Sequence, residues 1–326
     1  MPTTPASSQR SSIRLAPIQT RRGRQHGRTR QTLGVESSAT PSLADFPYFK
    51  VVTEYDPDAF DAFEEAGWTT KEASAYHGLL GRVTPQVVEP LLDAVGAGRG
   101  TRLLDVATGP GYVAARAAER GAEPIGIDFS ETMLAYARAH VAGVEFVHGD
   151  ATALPFEDES FDAVVAAFVL LHLGTPERAV EHAARVLRSG GRAAFSVWDE
   201  PSRGRWIGVF FDAFVAAGAH PPADVPAGPN FFRFADDAEF ASLLEGAGLT
   251  DVRVDTVEFG LDLADGDELW DGLLEGAVRV RPMILSQPEE LQREIHSRFA
   301  ELLEAYRTQD GFDVPVSVKL ASAAKA

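Results

Sequence analysis

From about residue 100 the chain alternates short apolar runs with stretches whose apolar positions recur every three or four residues. The runs Arg102–Val106, Pro124–Asp128, Val144–Val147, Ala163–Leu170 and Arg192–Trp198 predict five strands. Ala163–Leu170 is apolar almost throughout, as a strand covered on both faces must be. Between the runs lie an Ala-rich helix over Tyr112–Arg120 closed by Gly121 and a helix capped by Ser130 that runs to about Val141. A third helix opens at Thr175-Pro176-Glu177 and is expected to end at Gly190-Gly191. Strands and helices alternating at this spacing predict an α/β fold, a doubly wound, Rossmann-like, mostly parallel sheet.

The flanks read differently. Phe46 to Val95 has a helical pattern and predicts an N-terminal cover, with Pro85 as a first-turn residue behind Thr84 and Val87, Val88, Leu91, Leu92 and Val95 as the buried stripe. After Trp198 the rhythm breaks into an insertion, 200–235, rich in Trp, Phe, Pro and Gly. Trp206, Phe210 and Phe214 form one helical stripe there, either a lid helix packed on the core or, with Phe231, Phe232 and Phe234, an apolar acceptor pocket; the two readings are compatible. A helix over Asp236–Gly246, a strand over Val252–Leu263, helices near 267–278 and 288–307 and an edge strand over Val314–Ala321 complete the pattern. No internal repeat is visible.

Charge sharpens the partition. The 326 residues are 45% hydrophobic and carry a net charge of −18, yet residues 1–34 hold seven arginines and no acid. The remainder therefore sets 48 acids against 23 bases, a body of −25 that repels nucleic acid and anionic membrane surfaces. Residues 1–44 are too polar to offset their ordering entropy and are expected to be a disordered basic tail. An organelle-targeting leader is the alternative, weakened by the lack of amphipathic periodicity. No apolar run is long enough to span a bilayer, and a cytoplasmic location is expected. Without cysteine there is no disulfide, thiolate metal site or cysteine nucleophile. His140, His148, His172 and His182 show no ligand spacing, so no metal is expected.

The chemistry gathers where the first strand ends. Leu103-Leu104-Asp105-Val106-Ala107-Thr108-Gly109-Pro110-Gly111 runs from a buried strand through an acid into a glycine-rich turn, where a ligand can approach the backbone. Asp128, at the tip of the second strand, can accept hydrogen bonds from both hydroxyls of a ribose. Asp150 ends the third strand, where an acceptor can meet an adenine amine, and Phe129 and Met133 can wall the ring. Together they describe an adenosine site. Gly109-Pro110-Gly111-Tyr112-Val113-Ala114 formally fits a dinucleotide fingerprint, a weak match alone. Asp105, four residues before the turn, argues against NAD.

Taken as a set, these segments resemble class I S-adenosylmethionine (SAM)-dependent methyltransferases, of the small-molecule branch that includes ubiquinone and menaquinone C-methyltransferases. The likeness rests on Leu104–Gly111, Gly126–Leu134, Gly149–Phe156, Phe161–Val164 with Leu171-His172-Leu173, and Arg185–Arg192. Thr108 and Ser189 are modest departures from that family's pattern. The resemblance implies SAM as cofactor, with its amino-acid end along Ala107, Thr108, Gly109 and Gly111 behind Asp105, its ribose on Asp128 and its adenine at Asp150 and Ala151. It places Phe168 and Val169 beside the sulfonium and the acceptor. His172, just past the fourth strand, is a candidate general base, with a packed histidine as the competing reading. Tyr55, Tyr76, His77, Trp198 and Asp199 could also reach the site, although packing or exposed surface is the ordinary role for each. The acceptor is expected to be a small hydrophobic or aromatic molecule, and a homodimer is compatible with the sequence. Cyclase-like chemistry on the same fold, an NAD-dependent oxidoreductase and a non-catalytic binding protein are the alternatives. The expected division is a tail over 1–44 and a single methyltransferase domain over 45–326. Within it lie a helical cover (45–98), a SAM-binding core (99–199), a lid insertion (200–235) and a C-terminal half (236–326) carrying a helical insertion at 264–311.

Overall fold

A computed structural model describes residues 55–70, 73–222 and 225–326; the expected basic tail and the side chain of His77 lie outside what is described. Seven strands form one sheet in the order β3-β2-β1-β4-β5-β7-β6. They are β1 (Arg102–Val106), β2 (Glu123–Asp128), β3 (Glu145–His148), β4 (Phe161–Ala167), β5 (Leu187–Trp198), β6 (Leu249–Leu263) and β7 (Phe312–Lys325). The first five are parallel; β7 runs antiparallel to both β5 and β6. The helices are α1 (Pro57–Thr70), α2 (Ala73–Ala94), α3 (Tyr112–Glu119), α4 (Glu131–His140), α5 (Pro176–Val186), α6 (Arg205–Ala216), α7 (Asp237–Gly246), α8 (Gly266–Gly276), α9 (Val280–Leu285) and α10 (Glu289–Leu303). Two apolar clusters sandwich the sheet: α2, α3, α6, α8 and α10 contribute to one, α5 and α7 to the other. Burial on both faces explains why β4 is apolar without alternation.

Several expectations are corrected. Pro85 does not start a helix; α2 passes through both Pro85 and Pro90. An interior proline costs about 3 kcal/mol. The helix persists because Leu79, Leu80, Val83, Val87, Val88, Leu91 and Leu92 are all buried on one stripe, each contributing roughly 1.5–3 kcal/mol. α5 stops at Val186 rather than at Gly190-Gly191, because Leu187 turns extended (φ −74°, ψ 133°) and buries itself against β4 opposite Phe161. The C-terminal insertion holds three helices where two were expected. The final strand is not an edge: β7 lies between β5 and β6, and β6 forms the edge.

Candidate active site

The strand order reverses between β1 and β4, so the chain leaves these neighbours in opposite directions and opens a crevice at their C-terminal ends. Both exits are marked by strained backbone. Ala107 (φ 54°) follows β1 and Phe168 (φ 57°) follows β4, in the left-handed region that non-glycine residues rarely adopt. A cavity of about 360 Å³ fills the crevice, and both residues line it.

One half of the cavity is built from the glycine-rich turn and the tips of β2 and β3. Asp105, Ala107, Thr108, Gly109, Asp128, Phe129, Met133, Asp150 and Ala151 line it, as do Phe168 and Val169 toward the other half. Gly111 does not line the cavity. At φ 86° it begins α3, and a Cβ there would come within 3.0 Å of Phe146 and 3.3 Å of Ala137, so its role is packing. Gly109 (φ 53°), by contrast, has nothing within 4 Å of a would-be Cβ, which leaves its backbone open to a ligand.

Asp128 accepts hydrogen bonds from the Gly109 N–H (2.8 Å) and the Ser130 N–H (2.9 Å), tying the turn to the tip of β2. Burial pushes its carboxyl up. Asp105 is buried beneath the turn and accepts from the Thr108 hydroxyl (2.6 Å) and the Ala114 N–H (3.0 Å). Burial pushes its carboxyl up to about 7; these two hydrogen bonds oppose the rise and the charge of Asp128 adds to it. Asp150 is exposed and holds the backbone N–H and hydroxyl of Thr152, both at 2.7 Å, as a cap of the turn that follows.

The other half is apolar with a charged knot on its wall. Trp68, Tyr76, Leu80, Trp198, Trp206, Ile207 and Phe231 supply the apolar surface. Phe168 stacks on Trp198 (3.9 Å between centroids), and Trp198 leans on Trp206 (4.5 Å). The Trp206 indole N–H is buried and has no hydrogen-bond partner among the described residues. Of the expected acceptor aromatics, only Trp206 and Phe231 face the cavity; Phe210, Phe214, Phe232 and Phe234 are core residues. Tyr55 lies off the cavity and donates to the Gly174 carbonyl (2.7 Å). Asp199 also lies off it, buried against Ser317 (2.6 Å). Tyr76, at 2.9 Å from the Thr84 hydroxyl, is pushed by burial up to about 12 and stays neutral.

His172 ends a short 3-10 turn after β4 and faces the cavity. Its Nδ1 lies 2.9 Å from an oxygen of Glu64, to which the Trp68 indole N–H also donates (3.1 Å). The other Glu64 oxygen accepts from Arg279 Nε at 2.6 Å. Arg279 further donates to the carbonyls of Leu171 and Pro229 and sits over the rings of Phe60 (4.4 Å) and Phe231 (5.4 Å). Burial pushes the Glu64 carboxyl up, but the charges of His172 and Arg279 and the hydrogen bonds they donate prevail and hold it at about 2. Sequence reasoning missed Glu64, Trp68 and Arg279. The usable signal was Glu64 between Phe60 and Trp68 at four-residue spacing, an acid centred in an apolar stripe, and Arg279 between Val278 and Val280.

A family model described as a methyltransferase domain matches residues 104–195, the stretch from β1 through β5. A demethylmenaquinone methyltransferase of Renibacterium salmoninarum is 32% identical over 179 residues, covering 52% of this chain and 76% of that protein. The chain belongs to the class I SAM-dependent methyltransferases. A demethylmenaquinone methyltransferase of Clavibacter sepedonicus is 44% identical over a shorter stretch, 33% of this chain and 45% of its own length. Among solved structures, a candidate methyltransferase from an antibiotic biosynthesis pathway of Anabaena variabilis superposes with a TM-score of 0.50 at 19% identity. That likeness covers 72% of this chain and 96% of the other, and it shows the shared fold. SAM is the methyl donor of this methyltransferase and a small metabolite its acceptor; the NAD and non-methylating alternatives are not favoured. No described helix is long and apolar enough to cross a membrane.

Proposed function

We propose that this methyltransferase acts on a small, largely apolar, ring-bearing acceptor that loses a proton as it is methylated, with His172 as the general base. The observation that carries this reading is the histidine on the wall of the apolar half of the cavity, its Nδ1 engaged by Glu64 and its Nε2 without a hydrogen bond to the described residues. Bound SAM supplies an electrophilic methyl group on a sulfonium.

The open backbone of Ala107–Gly109 would hold the amino-acid end of the donor, and Asp128, an acceptor at the strand tip, would hold the ribose hydroxyls. Ala151 and Asp150 border the adenine, and Phe168 and Val169 line the passage between the two halves. The division of labour along the chain follows: 99–199 holds the donor, while described residues of 55–98, 200–235 and 264–311 cover the acceptor. Alignment of acceptor, methyl and sulfur does much of the catalytic work. His172 accepts at Nε2 the proton that the acceptor loses on methylation.

The two relatives' names make demethylmenaquinone, oxidised and reduced, the first acceptor to assay, beside a panel of simple phenols. Methyl-labelled SAM should label one of them. His172→Ala should lower turnover about 100-fold or more, the usual reach of a general base, while S-adenosylhomocysteine binding by calorimetry is unchanged. Unaltered turnover in that variant would remove His172 from the mechanism.

A further inference from the structure

Glu64, His172 and Arg279 come from α1, the turn after β4 and the segment between α8 and α9, more than 100 residues apart in each pairing of Glu64. The side chains of Glu64 and Arg279 are 3% and 5% exposed, whereas His172 keeps 22% at the cavity wall. A buried ion pair alone is often no more stabilising than an apolar substitute. The arrangement therefore calls for a reason beyond stability.

That reason lies in the imidazole. An ionised carboxylate only accepts hydrogen bonds, so the His172 nitrogen facing it must carry the proton. At 2.9 Å this places N–H on Nδ1, and in the neutral ring the lone pair is then on Nε2. Arg279 keeps Glu64 ionised, and the Trp68 N–H fixes the same carboxylate oxygen from the side. The Trp68 ring meets His172 edge-on at 5.0 Å and limits rotation of the imidazole.

We propose that Glu64 is a positioning residue that locks His172 as its Nδ1–H tautomer and aims the basic Nε2 into the acceptor half of the cavity, with Arg279 as the counter-charge that keeps Glu64 an acceptor. This rests on the reading of His172 as the base and adds the device that makes it one. The proton taken at Nε2 creates an imidazolium whose charge Glu64 already faces, so no group has to move to meet it.

The test reads the tautomer directly and needs no acceptor. Long-range proton–nitrogen spectra of histidine-labelled full-length protein with bound S-adenosylhomocysteine, assigned through His172→Gln, should show neutral His172 as Nδ1–H. Removing the acceptor alone leaves Arg279 unpaired in the interior and is prone to misfold, and a glutamine would still accept from Nδ1–H through its amide oxygen, so the deciding variant is Glu64→Leu with Arg279→Met, which removes both charges and the acceptor. In it, His172 should move to a mixture in which Nε2–H predominates. Methyl transfer to the acceptor found for the wild type should stay at least tenfold down although the thermal midpoint recovers. A merely structural pair would recover both together.

Nε2–H in the wild type, or a tautomer unmoved in the paired variant, overturns the proposal. Full turnover in His172→Ala instead overturns the base reading, and the spectra separate that case because they report the tautomer whether or not it is used.

Discussion

At the scale of single residues, Asp105 and Asp128 make the floor of the cavity beneath the glycine-rich turn sensitive to pH. Burial holds the Asp105 carboxyl at about 7, against 3.8 for the ordinary side chain. Between those values the folded protein keeps a proton that the unfolded chain has released, so stability falls as pH rises through that window. Asp105→Asn should flatten this fall, seen as a difference in thermal midpoint between variant and wild type that shifts steadily in the variant's favour from pH 4 to 7. Glu64 runs the other way. Its carboxyl is held at about 2 instead of 4.5, so its contribution is complete above pH 4.5 and is lost as pH drops toward 2. Asp128→Asn replaces one acceptor oxygen by a donor facing the Gly109 or Ser130 N–H, and should weaken S-adenosylhomocysteine binding at least about tenfold in calorimetry, the effect of losing one charge-assisted hydrogen bond.

At the scale of elements, α6 separates two roles that one stripe of aromatics conflates. Trp206 reaches the cavity, while Phe210 and Phe214 are 0% and 2% exposed in the core. Phe210→Ala should cost about 3–5 kcal/mol of stability, read by denaturant unfolding, and should not act through acceptor affinity. Trp206→Ala opens the apolar wall of the cavity; acceptor KM should rise several-fold with S-adenosylhomocysteine affinity unchanged. The parallel core was legible because β1 through β4 are bounded by glycine, proline or capping residues, and Ser130 does cap α4. The glycine-rich turn was legible for the same reason, except that Gly111 packs against Phe146 and Ala137 instead of lining the cavity. The acceptor wall was not, because periodicity reports which face of a helix is buried and not what lies opposite it. Glu64 reads as one more acid in Phe63-Glu64-Glu65 until Arg279 arrives from 215 positions away. Pro85 misled for a different reason: a local rule about helix starts was overridden by the burial of the whole α2 stripe.

At the scale of the molecule, the sheet depends on its last strand. Ser317, Lys319 and Ser322 punctuate β7 like a solvent face, yet all three are buried, with Ser317 paired to Asp199 and Lys319 to Asp237 at 2.6 Å. That hidden pairing is why the strand reads as an edge in the sequence. Val318 is fully buried and pairs with Trp198 of β5 and Val257 of β6. Val318→Pro removes a ladder donor inside the sheet and should leave the protein insoluble or unfolded by circular dichroism. The position of β7 also orders events during synthesis. A ribosome finishes β5 at Trp198 but reaches Phe312 only on the order of ten seconds later, at about 5–20 residues per second. Through that interval β5 keeps an open edge, and once Leu263 has been made β6 is an unpaired strand as well, at the stage when unpaired strands most readily find the wrong partner.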